Sequence, residues 1–542
     1  MMAVVAAVLP FEASTPVISV LGHNIRSVYA VAGLAVLIAA PGVLRARRAE
    51  PEPARHQHRR FEWLGMALIG LLALSWLTAN GYGLQAGMSW RRLATGILVA
   101  MVTARLASTA STRRLILVGY LVGATVAATV GLIDSALSAP TIWLGVDWLG
   151  WLDRMWGQPT MFGPIERLTQ PFGHANVAAG HYSVAVIIAL GLAGQAVAHR
   201  RHWLAALALA AATTTATGLS RTYSRGAVMA LLVALVCALL LGLTDKTWRS
   251  LVAGALVAMT VIGLVDSTWA LRFRDQPMSQ FYGVQIDAPA DIAALPASTV
   301  SVTNQSSSLW PPEVQSLERI ELATDGRVIV RHLYELPELQ PGESAEVAVD
   351  DPHPDPATAI VAWDVVRPGQ GHFLTLTGAA PVTTPASAVR IPSAPPSRFD
   401  LWSASIHLVG QNPLLGVGPG NFRLHYQTVL DRPGPRTAHA HSIVFEPLAS
   451  WGVVAAIVFV AMIVGGLVIG VRHRYDDTHL IATLSLIAVV AMGLFDWLVA
   501  SAAGGLTLWL VLGLVWSAGV QGRVGEQIVD EAGLGEEGGL VQ

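Results

Sequence analysis

Arg398-Phe399-Asp400-Leu401-Trp402, then Pro413-Leu414-Leu415-Gly416-Val417-Gly418-Pro419-Gly420-Asn421-Phe422, then His439-Ala440-His441-Ser442, Glu446 and Trp451-Gly452 follow one another and lead into an apolar run. An arginine, a glycine-rich turn and a histidine pair directly before a run of membrane length predict polar chemistry held at a membrane face. A solvated loop with incidental histidines would show the same residue types, so the surrounding chain has to decide between the two.

Of the 542 residues, 53% are hydrophobic and 13% are charged, against about 25% charged in soluble domains. This is the composition of a polytopic membrane protein. Basic residues are scattered in short clusters and form no stripe, which argues against nucleic acid as a partner. The single cysteine, Cys237, lies in an apolar run and excludes a disulfide or a cysteine metal site.

Apolar runs predict an all-α polytopic fold with about twelve transmembrane helices. Met1–Pro10 with the residues after it reads as a short first span, because a signal peptide would need a basic start and a small-residue cleavage site. The other runs are Val28–Leu44, Trp63–Leu77, Leu93–Leu106, Leu115–Leu137, Val177–Val197, Trp203–Leu219, Ala227–Leu243, Leu251–Leu264, Ile443–Gly470, Leu480–Ala500 and Leu506–Val520. Basic residues cluster in alternate loops, as arginines at 45–60, 113–114, 200–201 and 472–474 and as Lys246 with Arg249. Short cytoplasmic loops carry the basic excess, so both termini are expected to be cytoplasmic. Arg91 and Arg92 lie on the other side and run against the pattern. The division expected is spans one to nine over 1–270, an outer insert over 287–395, an outer catalytic loop over 396–442, three spans over 443–520 and a cytoplasmic tail over 521–542.

The insert is rich in Pro, Ser, Asp and β-formers. Arg319–Thr324 and Arg327–Tyr334 flank Asp325-Gly326, a hairpin signal. Thr299–Thr303, Ala345–Val349, Ala359–Val366 and His372–Thr377 also read as strands, and about seven strands fit a sandwich. On Val302-Thr303-Asn304, Trp310-Pro311, Leu339-Gln340-Pro341-Gly342-Glu343, Trp363-Asp364-Val365-Val366 and Gly371-His372-Phe373 it resembles immunoglobulin-like β-sandwich modules, which implies an accessory role. Asp350, Asp351, Asp355 and Asp364 lack calcium-loop spacing and read as solvated turn residues. Trp143, Trp148, Trp151 and Trp156 in the first outer loop read as an interfacial aromatic belt rather than as sugar-stacking platforms.

Thr222-Tyr223-Ser224-Arg225-Gly226 marks a helix re-entering the membrane from the outer face. An arginine there is functional by default, with a snorkelling side chain as the alternative. Together with Arg167, Phe172-Gly173-His174-Ala175-Asn176 and the opening stretch, this block makes the chain resemble the O-antigen ligase family, whose members include O-antigen polymerases and bacterial protein O-oligosaccharyltransferases. The resemblance covers about Arg167 to Gly470, interrupted by the insert. It implies a metal-independent glycosyltransferase without a cofactor, taking an undecaprenyl-diphosphate-linked glycan as donor. The acceptor it implies is a hydroxyl, on lipid A-core or another surface molecule, at the outer face of the bacterial cytoplasmic membrane.

On that resemblance Arg225 and Arg398 hold the diphosphate and His441 is the base, with His439 the second candidate and Arg167, Asn176, Arg221, Tyr223 and Glu446 in support. Arginine offers a planar fork for phosphate oxygens, and histidine titrates near neutral pH. No aspartate-rich or histidine–carboxylate cluster is legible beside the arginines, so no metal is expected. Ser442 stands where the family often has asparagine; it keeps the capacity to cap a helix. Ligase, polymerase and protein transferase are not separable by sequence. A polar-lipid transporter is the rival of another class, with Asp496 inside a span as its main support.

The topology has a direct test. In a Cys237→Ser background, single cysteines in the insert should react with an impermeant thiol reagent added from outside, and one beside Arg472 should not. The reverse labelling pattern would invert the arrangement.

Overall fold

The computed structural model describes residues 1–517 apart from 12–17, 21–22, 26, 50–51, 80–81, 137–141, 144–145, 148–159, 163–164, 242–245, 266, 273–277, 296–297, 313, 326, 350–353, 368–370, 378, 386–395 and 431–438. Apolar runs become helices: α1 Met2–Val8, α2 Ser27–Ala49, α3 Glu52–Leu77, α4 Gly83–Leu106, α5 Ala110–Ala136, α6 Ala175–Ala198, α7 His202–Arg221, α8 Arg225–Leu240 and α9 Lys246–Val265. Short helices α10 Ser267–Arg272, α11 Ser279–Tyr282 and α12 Phe373–Thr377 precede the closing set. That set is α13 Arg398–Gln411, α14 Phe422–Leu430, α15 Phe445–Trp451, α16 Val453–Arg472, α17 Asp477–Gly493 and α18 Ala502–Trp516.

Among the described residues six stretches are long and apolar enough to cross a membrane: Val28–Arg48, Glu52–Leu77, Ala110–Ser135, Ala175–Ala198, His202–Arg221 and Val453–Arg472. Arg225–Leu240, Asp477–Gly493 and Ala502–Trp516 are shorter apolar helices. Helices α6 and α18 are apolar on every side and buried almost throughout, which marks them as the centre of the bundle. The first apolar run makes only the seven-residue α1, about 10 Å long and far short of a bilayer core of about 30 Å.

Two predicted spans are interrupted, and both interruptions build the site. The run Ile443–Gly470 divides at Gly452, whose φ is +82°, into α15 and α16. A Cβ on Gly452 would lie 2.2 Å from the Leu414 carbonyl oxygen, so only glycine lets the 413–418 loop cross there. The run Leu480–Ala500 stops helically at Gly493. Asp496 then accepts the Trp497 amide at 2.8 Å, a side-chain turn that competes with helix continuation. It therefore lies between helices.

The insert folds as two antiparallel sheets. The larger orders Val328–Glu335, Ser316–Leu322, Ile360–Arg367 and Gly371–His372, with Val382–Thr384 also paired to Ile360–Arg367; the smaller orders Ser344–Ala348, Thr299–Asn304 and Val284–Asp287. The predicted hairpin is present, with Leu322 opposite Val328. Val300 and Val302 from one sheet and Leu317 and Trp363 from the other share a core with Trp310 and Phe373. The predicted strand His372–Thr377 is instead helical after His372, because Phe373, Leu374 and Thr377 fall on a helical face and the Leu374 amide caps onto Asp364 at 2.9 Å. Asp364 is accordingly buried and not a solvated turn residue. Asp350, Asp351, Trp148, Trp151, Trp156 and the 521–542 tail lie outside the described residues, and only the backbone of Trp143 is described.

Gly452→Ala should destabilise the purified protein by at least about 1–2 kcal/mol, from the left-handed backbone alone, with the Leu414 overlap adding to it. Gly410→Ala in α13, where an added Cβ meets nothing within 4 Å, is the control and should not lower the melting temperature. Equal melting temperatures for Gly452→Ala and wild type would refute the packing role.

Candidate functional site

A hydrogen-bonded chain of side chains joins four distant segments. Arg167 leaves the strand Ile165–Arg167 and donates through Nε to the Thr222 carbonyl at 2.7 Å and through Nη2 to Asn176 Oδ1 at 2.9 Å. Asn176 Nδ2 donates to Asp496 Oδ2 at 2.7 Å, and Asp496 Oδ1 meets His441 Nδ1 at 3.0 Å. His174 caps α6 by accepting the Asn176 amide at 3.2 Å. Two non-glycine residues of the site have left-handed backbones, Tyr223 at φ +49° and His441 at φ +51°; such outliers gather at functional sites.

Around this chain four guanidinium groups converge. Arg225 opens α8 and donates to the Arg272 carbonyl at 3.1 Å; Arg272 Nε donates to the Tyr223 carbonyl at 3.1 Å. Arg398 opens α13, whose start is fixed by a reciprocal Ser397–Asp400 capping box. Burial, then repulsion from Arg167, Arg225 and Arg398, lowers Arg272 to about 10. Burial lowers Arg167 to about 10 as well, against the pull of Asp496. Arg225 and Arg398 are exposed, whereas Arg167 is buried and Arg272 half-buried. Of the other supporting residues, Arg221 contributes its carbonyl, which accepts the Leu168 amide at 3.0 Å, and Tyr223 packs its ring against Trp269 at 5.7 Å.

The histidine pair is mounted on Ala440. Its amide donates to Glu446 Oε2 at 2.8 Å and its carbonyl accepts from Trp402 Nε1 at 3.1 Å. Ser450 Oγ donates to the other Glu446 oxygen at 2.8 Å. The glycine-rich loop clasps the same helix: the Val417 amide donates to Ala449 O at 3.0 Å and the Gly418 amide to Ser450 O at 2.9 Å. These amides are committed to protein carbonyls, so the loop is a mount for α15 and not an anion cradle. Ser442 Oγ accepts the Val444 amide at 3.2 Å, consistent with a capping role.

His439 and His441 have ring centroids 4.2 Å apart, and the His441 amide donates to His439 Nδ1 at 3.3 Å. Burial, with His441 and His174 nearby, lowers His439 to about 3 despite Asp496; it is neutral under ordinary conditions. Burial alone would raise Asp496, but its bond to His441 and the neighbouring histidines hold it well below the usual carboxylate range. Ligand atoms of His439, His441 and Asp496 lie within 4.8 Å of one another. The expectation that no histidine–carboxylate cluster lies here is therefore corrected: Asp496 arrives from a helix break 55 residues beyond His441.

Two cavities meet the site. An apolar one of about 480 Å³, among α6, α7, α8 and α9, ends at Ser220 and Trp269, which are hydrogen-bonded at 3.2 Å. A polar one of about 150 Å³ is lined by Gln85, Ser89, Arg92, Arg423, His439 and Trp497. Arg92, the exception to the arginine pattern, thus belongs to the site face.

Residues 390–460 match the O-antigen ligase family model. The resemblance read from the motifs is borne out over this segment, which holds Arg398, both histidines and Glu446. No curated protein matches the chain. Arg167, Asn176, Arg225, Arg272 and Asp496 fall outside the O-antigen ligase match and join it only in space.

Burial outweighs both hydrogen bonds to Glu446 and raises its carboxyl from 4.5 to about 7. Its protonated form is thus favoured by folding, so this contribution to stability is complete below about 4.5 and is lost as pH rises through about 7. Melting temperatures across that range should fall more steeply for wild type than for Glu446→Gln. Parallel curves would contradict the assignment.

Proposed function

We propose that the chain is a membrane glycosyltransferase of the O-antigen ligase kind, moving a glycan from an undecaprenyl-diphosphate-type carrier to a hydroxyl acceptor. The observation that carries this reading is the Asp496–His441 pair standing beside four arginines. Asp496 accepts from Nδ1–H of His441 and leaves Nε2 to take a proton, the arrangement of an oriented general base. His441 Nε2 removes the acceptor hydroxyl proton as the acceptor oxygen attacks the anomeric carbon. The bond from that carbon to the diphosphate oxygen breaks, and the lipid diphosphate leaves as an anion held by Arg225 and Arg398. Fixed cations aimed at the developing charge supply the electrostatic stabilisation.

The two candidate bases differ in a way that supports His441. His439, lowered to about 3, is a weak proton acceptor at neutral pH and serves to accept the His441 amide. The apolar cavity ending at Trp269 suits the carrier's prenyl chain, and the Arg92–Arg423 cavity suits the acceptor. We place the site at the outer face of a bacterial cytoplasmic membrane, on a bundle of about eleven spans once the short first run is set aside, with the β-rich insert as an immunoglobulin-like accessory module. Lipid A-core or another surface molecule supplies the acceptor hydroxyl. The transporter reading loses its support once Asp496 is a hydrogen-bonded partner of His441 outside the helices.

His441→Ala should leave lipid-diphosphate binding nearly intact while lowering single-turnover transfer roughly 10²- to 10⁴-fold. Arg225→Lys and Arg398→Lys should weaken both, since lysine keeps the charge and loses the fork. Transfer should persist in excess EDTA. Activity in His441→Ala with none in His439→Ala would move the base, loss in EDTA reversed by a divalent ion would turn the histidine–aspartate cluster into a metal site, and full activity in all variants would sink the transferase reading.

A further inference from the structure

A further cavity lies at the opposite end of the bundle from the histidines. It measures about 410 Å³, within the range of ligand sites at about 300–1,000 Å³, and runs between α5, α6 and α7. Helix α6 begins at Ala175 beside the site, and Gln195 lies twenty residues along it, about 30 Å away at 1.5 Å per residue. The transferase chemistry therefore has no use for this cavity.

Its lining divides by polarity. At one end stand Arg114 near the start of α5, His199 at the C-cap of α6, and Arg201 at the N-cap of α7. Gln195 lines the same end. It is 5% exposed, and among the described residues neither its amide nitrogen nor its amide oxygen has a hydrogen-bond partner. A buried amide with both atoms unmet is costly unless a ligand or water completes it. Apart from Thr125, whose hydroxyl donates to the Leu121 carbonyl, the rest of the wall is apolar and opens outward, with Val118 at 40%, Val122 at 54% and Leu207 at 60% exposure. All three belong to helices that span, so their exposed faces meet lipid chains.

The neighbouring arginines sharpen the point. Arg113 is buried and committed: Nη2 pairs with Asp476 at 2.7 Å, Nε donates to Thr478 Oγ1 at 2.9 Å and Nη1 to the Ala107 carbonyl at 3.0 Å. Arg114 and Arg201 are exposed, and neither makes an ion pair among the described residues. The amino-terminal end of α7 adds positive partial charge at the same place and the carboxy-terminal end of α6 offsets it, so the two arginines carry the preference for an anion.

We propose that this groove binds an anionic phospholipid, its phosphate held by Arg114 and Arg201 with the Gln195 amide and its acyl chain laid along α5 and α7. A zwitterionic lipid would gain less, because its headgroup brings an ammonium to the arginines. A soluble anion would leave the apolar wall unused. Basic pockets between helices on the cytoplasmic side are suited to such headgroups, and that is the face to which the arginine count assigns 113–114 and 200–201. The proposal does not depend on the transferase reading.

The test reconstitutes the full chain in vesicles of equal phosphatidylglycerol and phosphatidylcholine and counts lipids retained on the extracted protein by native mass spectrometry. Wild type should retain phosphatidylglycerol over phosphatidylcholine by roughly 10- to 30-fold, the factor two arginines supply to an anionic headgroup. Arg114→Gln/Arg201→Gln should abolish the preference by removing the headgroup contacts. Ala211→Phe should abolish retention by filling the groove while leaving the arginines in place. The arginine pair is exposed, so that variant should remain folded, and the wild-type preference is informative without either variant. Equal retention of the two lipids by wild type, undiminished preference in the arginine variant, or undiminished retention in folded Ala211→Phe would overturn the proposal. Displacement of phosphatidylglycerol by millimolar inorganic phosphate would overturn it too, as the mark of a soluble-anion site.

Discussion

The carboxylate of Asp496 is the constraint on which the site depends. It is nearly fully buried, and its oxygens take Asn176 Nδ2, His441 Nδ1 and the Trp497 amide. Removing one partner of a buried charge costs about 3–5 kcal/mol, so each group is held by the others. Through Asn176 the constraint reaches Arg167, and through Arg167 the turn at Thr222 that carries Arg225 into α8. His441, Asp496 and the turn that carries Arg225 are thus coupled by three side-chain contacts and one contact to a carbonyl.

Backbone geometry does the rest of the positioning. The left-handed turn at Tyr223 follows the end of α7, the one at His441 lies in the turn before α15, and the break at Gly452 ends α15. The glycine loop at 413–418 is then pressed against α15 and fixes Glu446, which fixes Ala440 between the two histidines. Rigid mounting of this kind limits the reorganisation needed when charge develops.

How much of this was legible in the sequence depends on distance along the chain. The apolar runs became helices because hydropathy over some twenty residues is a local property. Arg398, the glycine turn and the histidine pair were legible because they are close in sequence and match a family model. Asp496 was not assigned to the site, since its apolar surroundings carried a predicted span through it; an acidic residue in such a run, three residues after Gly493, was the available signal. Arg272 carried no motif, and its role emerges only where Arg167, Arg225 and Arg398 approach it. His174 stood in a quoted motif, but its capping bond depends on the turn that precedes α6. The insert's hairpin was legible from Asp325-Gly326, whereas the helix after His372 needed the buried carboxylate of Asp364 to be seen.

The β-rich insert is attached to the bundle between two of the four arginines: the chain leaves for it just after Arg272 and returns from it just before Arg398. The insert and the anion site are therefore parts of one loop, with a guanidinium at the root of each stem. Lengthening or shortening either stem would act on the separation of those two charges before it acted on the bundle. A molecule that grips the insert would have, along the covalent chain itself, a mechanical route to the two guanidinium groups of Arg272 and Arg398.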